Sequence, residues 1–159
     1  MTKIKPDPLR GIAAGITAGL VASLAMDLFQ KAWAKAVPMP ASSEDPATVK
    51  AAQTVSRAAT GKFFVNEDKA AAGQWVHYLF GAGLGGAYGL LAEYRPGVTR
   101  GFGSAFGAGT ALLFDEVAVP ATGLGATPSD TPAATHAYAL ASHLVFGSIS
   151  EGVRRGLRA

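Results

Sequence analysis

The sequence predicts an all-α fold: an integral membrane bundle of four transmembrane helices with glycine-rich packing and a short surface helix between the first and second. Three observations predict it. Only 16% of the 159 residues are charged, where a soluble domain carries about a quarter. Residues 11–26, 70–92, 101–114 and 131–150 contain no Asp, Glu, Lys or Arg. Finally, glycines recur four apart, at Gly11, Gly15 and Gly19, at Gly81, Gly85 and Gly89, and at Gly103 and Gly107. Such ridges let transmembrane backbones approach closely, where apolar side chains alone give helices no reason to associate.

The uncharged stretches 70–92 and 131–150 reach the roughly 20 residues that span a hydrocarbon core. The other two reach it once Asp27, or Asp115 and Glu116, are admitted. The mean hydropathy of +0.24 is low for a membrane protein because Gly and Ala fill these segments.

The first helix is expected over about 8–36. Asp7 is its N-cap and Pro8 its first residue, and Pro38 and Pro40 stop it. Its last turns carry Asp27, Gln30, Lys31 and Trp33, as a helix leaving a bilayer would. Ala34-Lys35-Ala36 resembles a signal-peptidase site, but a lysine within it and the polar stretch before it argue against cleavage. Residues 37–66 read as a loop with a short, weakly amphipathic helix, begun by Asp45-Pro46 and ended by Gly61; a solvated connector is the other reading.

The second membrane helix, about 67–93, opens on Asn66-Glu67-Asp68, with acids at the positive end of its dipole, and closes before Arg95-Pro96. The third, about 99–119, runs from Thr99 and is stopped by Pro120. After the loop PATGLGATPSDTP, Thr131-Pro132 starts the fourth, about 132–157, which ends in the basic tail EGVRRGLRA. The chain 1–159 thus reads as a single transmembrane domain. With both termini cytoplasmic, that side holds Lys3, Lys5, Arg10, Arg95, Arg100, Arg154, Arg155 and Arg158. Trp33, Trp75 and Tyr94 read as interfacial anchors.

Other classes are excluded. The net charge of +3 suggests nucleic acid, but the basic residues lie at segment ends rather than in a patch with interleaved aromatics. Without cysteine there is no disulfide and no thiolate metal site. GAGLGG at 81–86 fits G-x-G-x-x-G, yet the region about 20 residues on, RGFGSAFGAG, lacks the carboxylate a dinucleotide fold requires. No P-loop, nucleophile elbow or zinc-protease motif is present, and no cofactor is expected.

Residues 111–120 read ALLFDEVAVP, placing two acids at the end of an apolar run. Because the helices alternate in direction, the end of the first and third and the start of the second and fourth share one side. Asp27, His77, Asp115, Glu116, His136 and His143 then form one intramembrane polar layer. Adjacent residues on an α-helix point about 100° apart, so the two acids cannot aim at the same spot; one is expected to face the bundle and the other the interface or a neighbouring helix. Glu116 and His143 are the expected interior pair, with His77 as the third member. Three readings stay open: hydrogen bonds that lock the helices, a proton relay, and a metal or haem site. Ser142 beside His143 suggests a lipid-cleaving nucleophile, but neighbours on a helix point apart, so no catalytic residue is assigned.

The stretches HYLFGAGLGGAYGLLAE (77–93), GFGSAFGAGTALLFDEVAVPATGL (101–124) and HLVFGSISEGVRR (143–155) together resemble the YagU-like family of bacterial inner-membrane proteins, a family of unknown function. The shared positions are His77, Glu116, Pro120, Gly123, Leu124, His143, Glu151, Arg154 and Arg155. The resemblance implies a multi-pass protein of the bacterial inner membrane and, loosely, a role in tolerating acid; it supplies no catalytic residues. The expectation is a non-enzymatic protein of envelope or acid-stress homeostasis, proton-linked through its His/carboxylate layer. The alternative is a structural or accessory subunit. The expected partners are the lipid bilayer and a second copy or another membrane protein.

Overall fold

In the computed structural model, residues 6–37 and 44–159 are described, and every regular element among them is helical. Lys3 and Lys5, and the stop signals Pro38 and Pro40, lie outside the described residues. Helix α1 (Pro8–Ala36) starts as its sequence dictates: the Asp7 side chain accepts the Arg10 backbone N–H at 3.0 Å, and Pro8 needs no donor in the first turn. Helix α2 (Ala47–Thr60) ends on Gly61, whose φ of +71° is the left-handed cap glycine favours. Its start departs from expectation. Asp45 does not cap it, and instead forms an ion pair with Lys69 on α3 (Asn66–Tyr94) at 2.8 Å. Val49 of α2 packs into the space left by Gly73 of α3.

The third membrane segment starts later than expected. A 3₁₀ turn occupies Pro96–Thr99, and Gly101, Phe102 and Gly103 all have positive φ, so α4 begins only at Ser104 and ends at Thr110. It continues without a break into a π-helix, Ala111–Ala118, and a final turn, α5 (Val119–Ala121). Pro120 does not stop the helix ahead of itself, as its place in the sequence suggests; the helix runs one residue past it. Proline lacks the N–H that would bond to the Glu116 carbonyl, and its ring crowds that carbonyl. Winding the preceding residues wide is the accommodation seen here. A 3₁₀ turn, Pro128–Asp130, leads to α6 (Ala133–Arg158).

Helix α1 packs against α3 and α6, α6 also holds α4, and α2 lies on α3. The α1–α3 contact is a register of facing glycines: Gly11 with Gly89, Gly15 with Gly85, and Gly19 with Gly81. A Cβ on Gly15 would lie 2.9 Å from the Gly85 carbonyl carbon and 3.0 Å from Gly89 Cα. Extended outward, the same register brings Asp7 to Glu93 at one end and Asp27 to Gln74 at the other. Gly103 and Gly107 make an equivalent approach to Gly147 and His143 of α6.

The distribution of side chains is inverted relative to a water-soluble bundle. Fully buried positions are small or polar (Ala18, Ala22, Ser23, Ser142, Ser150, Tyr88, Glu151), while Leu20, Leu24, Leu28, Leu79, Leu112, Leu113 and Val117 are exposed. Among the described residues one helix, α1, is long and apolar enough to cross a membrane. The all-helical expectation holds, while three of the four expected membrane helices fall short of that length and apolarity among the described residues. Glycine, tyrosine and histidine dilute α3, α6 is rich in serine and alanine, and the third segment is short and changes winding.

Candidate functional site

The six residues of the expected polar layer form three separate imidazole–carboxylate pairs. His77 Nε2 of α3 lies 3.3 Å from Asp27 Oδ1 of α1, though out of hydrogen-bond alignment. Gln74 donates to the other Asp27 oxygen at 2.6 Å. His143 Nδ1 of α6 lies 3.2 Å from Asp115 Oδ2 and 3.0 Å from the Ala139 carbonyl. His136 Nδ1 meets Glu116 Oε1 at 2.6 Å, and its Nε2 faces the Pro128 carbonyl at 3.2 Å. All six side chains are half-buried, between 14% and 33% exposed. Tyr138 of α6 packs against Trp33 of α1, with ring centroids 5.9 Å apart.

The expected interior pair, Glu116 with His143 and His77 as third member, does not form: Glu116 takes His136, His143 takes Asp115, and His77 takes Asp27. The two acids aim at different partners, as expected, yet both reach α6 from the π-helix. Its i→i+5 bonding turns each residue through less than the roughly 100° of an α-helix, so adjacent side chains diverge less. His136 and His143 are seven residues apart, two turns along one stripe of α6, and each acid reaches one of them.

The pairs differ in how their protons are accounted for. A carbonyl oxygen only accepts, so His136 Nε2 must carry a proton to bond Pro128. Its Nδ1 then faces Glu116, and that contact needs a second proton, on the imidazole or on the carboxyl. Whichever atom carries it, the pair holds one proton more than a neutral imidazole beside a carboxylate. At His143, the two acceptors share Nδ1 and fix that nitrogen as the protonated one.

A second group of acids lies at the opposite ends of α3 and α6, outside the layer that depth counting picks out. Glu151 is fully buried. It accepts from Tyr88 Oη at 2.7 Å, from Arg154 through Nε and Nη2 at 2.8 and 2.9 Å, and from Arg155 Nε. The Arg155 guanidinium also stacks 5.0 Å over the Phe102 ring, which the left-handed turn 101–103 delivers to α6. Nearby, Glu93 accepts both Arg158 Nε and Nη2, at 2.8 and 2.9 Å, and the Asp7 backbone N–H. The sequence signal is the Glu151, Arg154, Arg155 spacing of three and four, which alone reads as an exposed helix pair. Tyr88, far along α3, converts it into a buried cluster.

The two ends therefore differ in kind. At one, carboxylates are neutralised by permanently charged guanidinium groups; at the other, each carboxylate of the layer has an imidazole as its basic partner. Among the described residues no three His, Asp or Glu converge on a point a metal ion could occupy, so the grouping a divalent-ion site would need is missing. Ser142 is fully buried, and its hydroxyl has no hydrogen bond to His143.

No curated protein and no solved structure matches the chain. One family does, over residues 27–151, and it is described as a protein of unknown function (DUF1440). That span runs from Asp27 to Glu151 and contains all three imidazole pairs, Tyr88 and Glu93. Because the match covers more than three quarters of its residues, the chain belongs to the DUF1440 family of proteins of unknown function.

Proposed function

We propose that this chain is a four-helix protein of the bacterial inner membrane, with both termini cytoplasmic, that takes up protons at its imidazole–carboxylate layer in envelope or acid-stress homeostasis. The observation that carries this reading is His136, held between the Glu116 carboxylate and the Pro128 carbonyl, a site with room for a labile proton. Histidine is the side chain whose ordinary titration falls between pH 5 and 8. Intramembrane acids and histidines are the usual relay groups. Asp115 and His143, two turns along α6, supply the next pair, and the Arg-held Glu151 cluster closes the far end. The inverted distribution of side chains supports embedding α1, α3, α6 and the 104–121 helix in lipid, which a glycine and serine interior with a leucine exterior suits. The resemblance to YagU-like proteins points to the same membrane.

The test is proton flux into liposomes containing the purified protein, driven by an imposed pH step and read by an internal dye. Wild type should exceed empty liposomes, and Glu116→Gln and His136→Ala should remove the excess. Wild-type flux equal to that of empty liposomes would overturn the reading. The alternative, an accessory subunit of a larger membrane assembly, has its own support: each acid of the layer already has a partner. On that reading the same substitutions lower stability, and the search moves to copurifying membrane proteins.

A further inference from the structure

We infer that the end of the bundle where α1 begins and α3 and α6 finish is a binding surface for the headgroups of anionic phospholipids. The sequence scatters the arginines of this end over separate segments, and the fold gathers them. Glu93, near the end of α3, accepts the Asp7 backbone N–H from the start of α1 and the Arg158 guanidinium from the end of α6. Arg155, one turn before Arg158, lies over the Phe102 ring, which brings in the connection from α3 to α4 with Arg95 and Arg100. Arg10 sits beside Asp7 at 3.9 Å.

The acids of this end are engaged within the molecule, and part of its positive charge is not. Glu93 and Glu151 are turned inward and held by Arg158 and Arg154, and Asp7 caps α1. Arg95 and Arg100 are exposed and have no carboxylate partner among the described residues. Arg155 binds Glu151 through Nε yet is 54% exposed, and Arg10 is 77% exposed. The guanidinium fork matches a pair of phosphate oxygens. Interspersed with these arginines stand Leu9, Leu91, Tyr94, Phe102 and Leu157, all exposed. An acidic protein or a nucleic acid would satisfy the charge and leave the leucines in water. A phospholipid satisfies both, its phosphate on the arginines and its chains against the leucines and rings.

The inference rests on the proposed membrane embedding and is independent of proton flux. The test is native mass spectrometry of the full chain released from dodecylmaltoside micelles doped with equal amounts of dioleoylphosphatidylglycerol and dioleoylphosphatidylcholine, which share their acyl chains and differ in headgroup charge. Wild type should retain the anionic lipid about fivefold or more over the zwitterionic one. The double substitution Arg95→Gln and Arg100→Gln should reduce that preference about fivefold or more. Both side chains are exposed and unpaired among the described residues, so the fold survives their loss. Lys62→Gln, at the opposite end, should leave the preference as in wild type. Equal retention of the two lipids, or a preference that the double substitution leaves unchanged, would overturn the proposal. So would inorganic phosphate displacing the anionic lipid better than chloride of equal ionic strength, which would make this a site for free phosphate. A chain that stays dissolved without detergent would sink the embedding and this surface with it. Lipid preference with these sensitivities in a protein that shows no proton flux would support the surface and sink the proton reading alone.

Discussion

Gly85 and Gly83 sit two residues apart on α3 and face opposite ways, which makes them a matched pair. A Cβ at Gly85 would lie 2.7 Å from Gly19 Cα and 2.8 Å from Gly19 N, and closer still to the Gly15 carbonyl oxygen. All three are backbone atoms, so no side chain can swing aside, and α1 and α3 must separate by about 1 Å to admit one methyl. A gap of that size forfeits roughly a quarter to a half of the dispersion energy of the atoms it parts, about 0.1–0.2 kcal/mol per pair. If the glycine seam comprises on the order of 50 such pairs, Gly85→Ala costs about 1–5 kcal/mol, centred near 3. At Gly83 nothing lies within 4 Å, so Gly83→Ala meets no obstacle and gains helix propensity, up to about 1 kcal/mol. The assay is unfolding by sodium dodecyl sulfate in mild micelles, followed by circular dichroism. The two substitutions should move the midpoint in opposite directions. Equal shifts, or a tolerant Gly85→Ala, would refute the register of facing glycines.

Three further substitutions and two double-mutant cycles probe the polar groups and the winding that places them. Glu151→Gln leaves the largely buried Arg154 guanidinium without its carboxylate and should destabilise by about 3–5 kcal/mol in the same titration. Arg10→Ala breaks an exposed pair with Asp7 and should cost well under 1 kcal/mol. A double-mutant cycle between Glu116 and His136 should return a coupling of about 0.6 kcal/mol or more, and the cycle between Glu116 and His143 none. The reverse result would restore the pairing that depth alone suggests. Pro120→Ala returns the donor for the Glu116 carbonyl and should tighten the π-helix. The His143 imidazole nitrogen resonances should then move while those of His77 stay put; unchanged His143 signals would show that proline does not cause the wide winding.

The elements differ in how far sequence reaches them, and the differences have physical causes. The α1–α3 seam is legible because both partners repeat glycine at the interval of one helical face, and only one antiparallel register makes the two repeats coincide. Fixing that register also fixes Asp27 near the start of α3, so the level of the polar layer follows from counting residues. Pairing within the layer does not follow. Depth locates a side chain along an axis, whereas choosing between His136 and His143 depends on azimuth, and eight residues of π-winding shift the azimuth of Asp115 and Glu116. Pro120 is the one cue to that winding, and it reads equally as a stop. Glu151 is hidden for a different reason. A glutamate with arginines three and four residues on is a common surface pattern of a helix, and only Tyr88, 63 residues earlier, marks it as buried. Burial there depends on Gly103 and Gly147, which bring α4 and α6 close enough to exclude solvent. The same glycine spacing that predicts tight packing thus decides which carboxylates stay permanently paired, and which have imidazole as their basic partner.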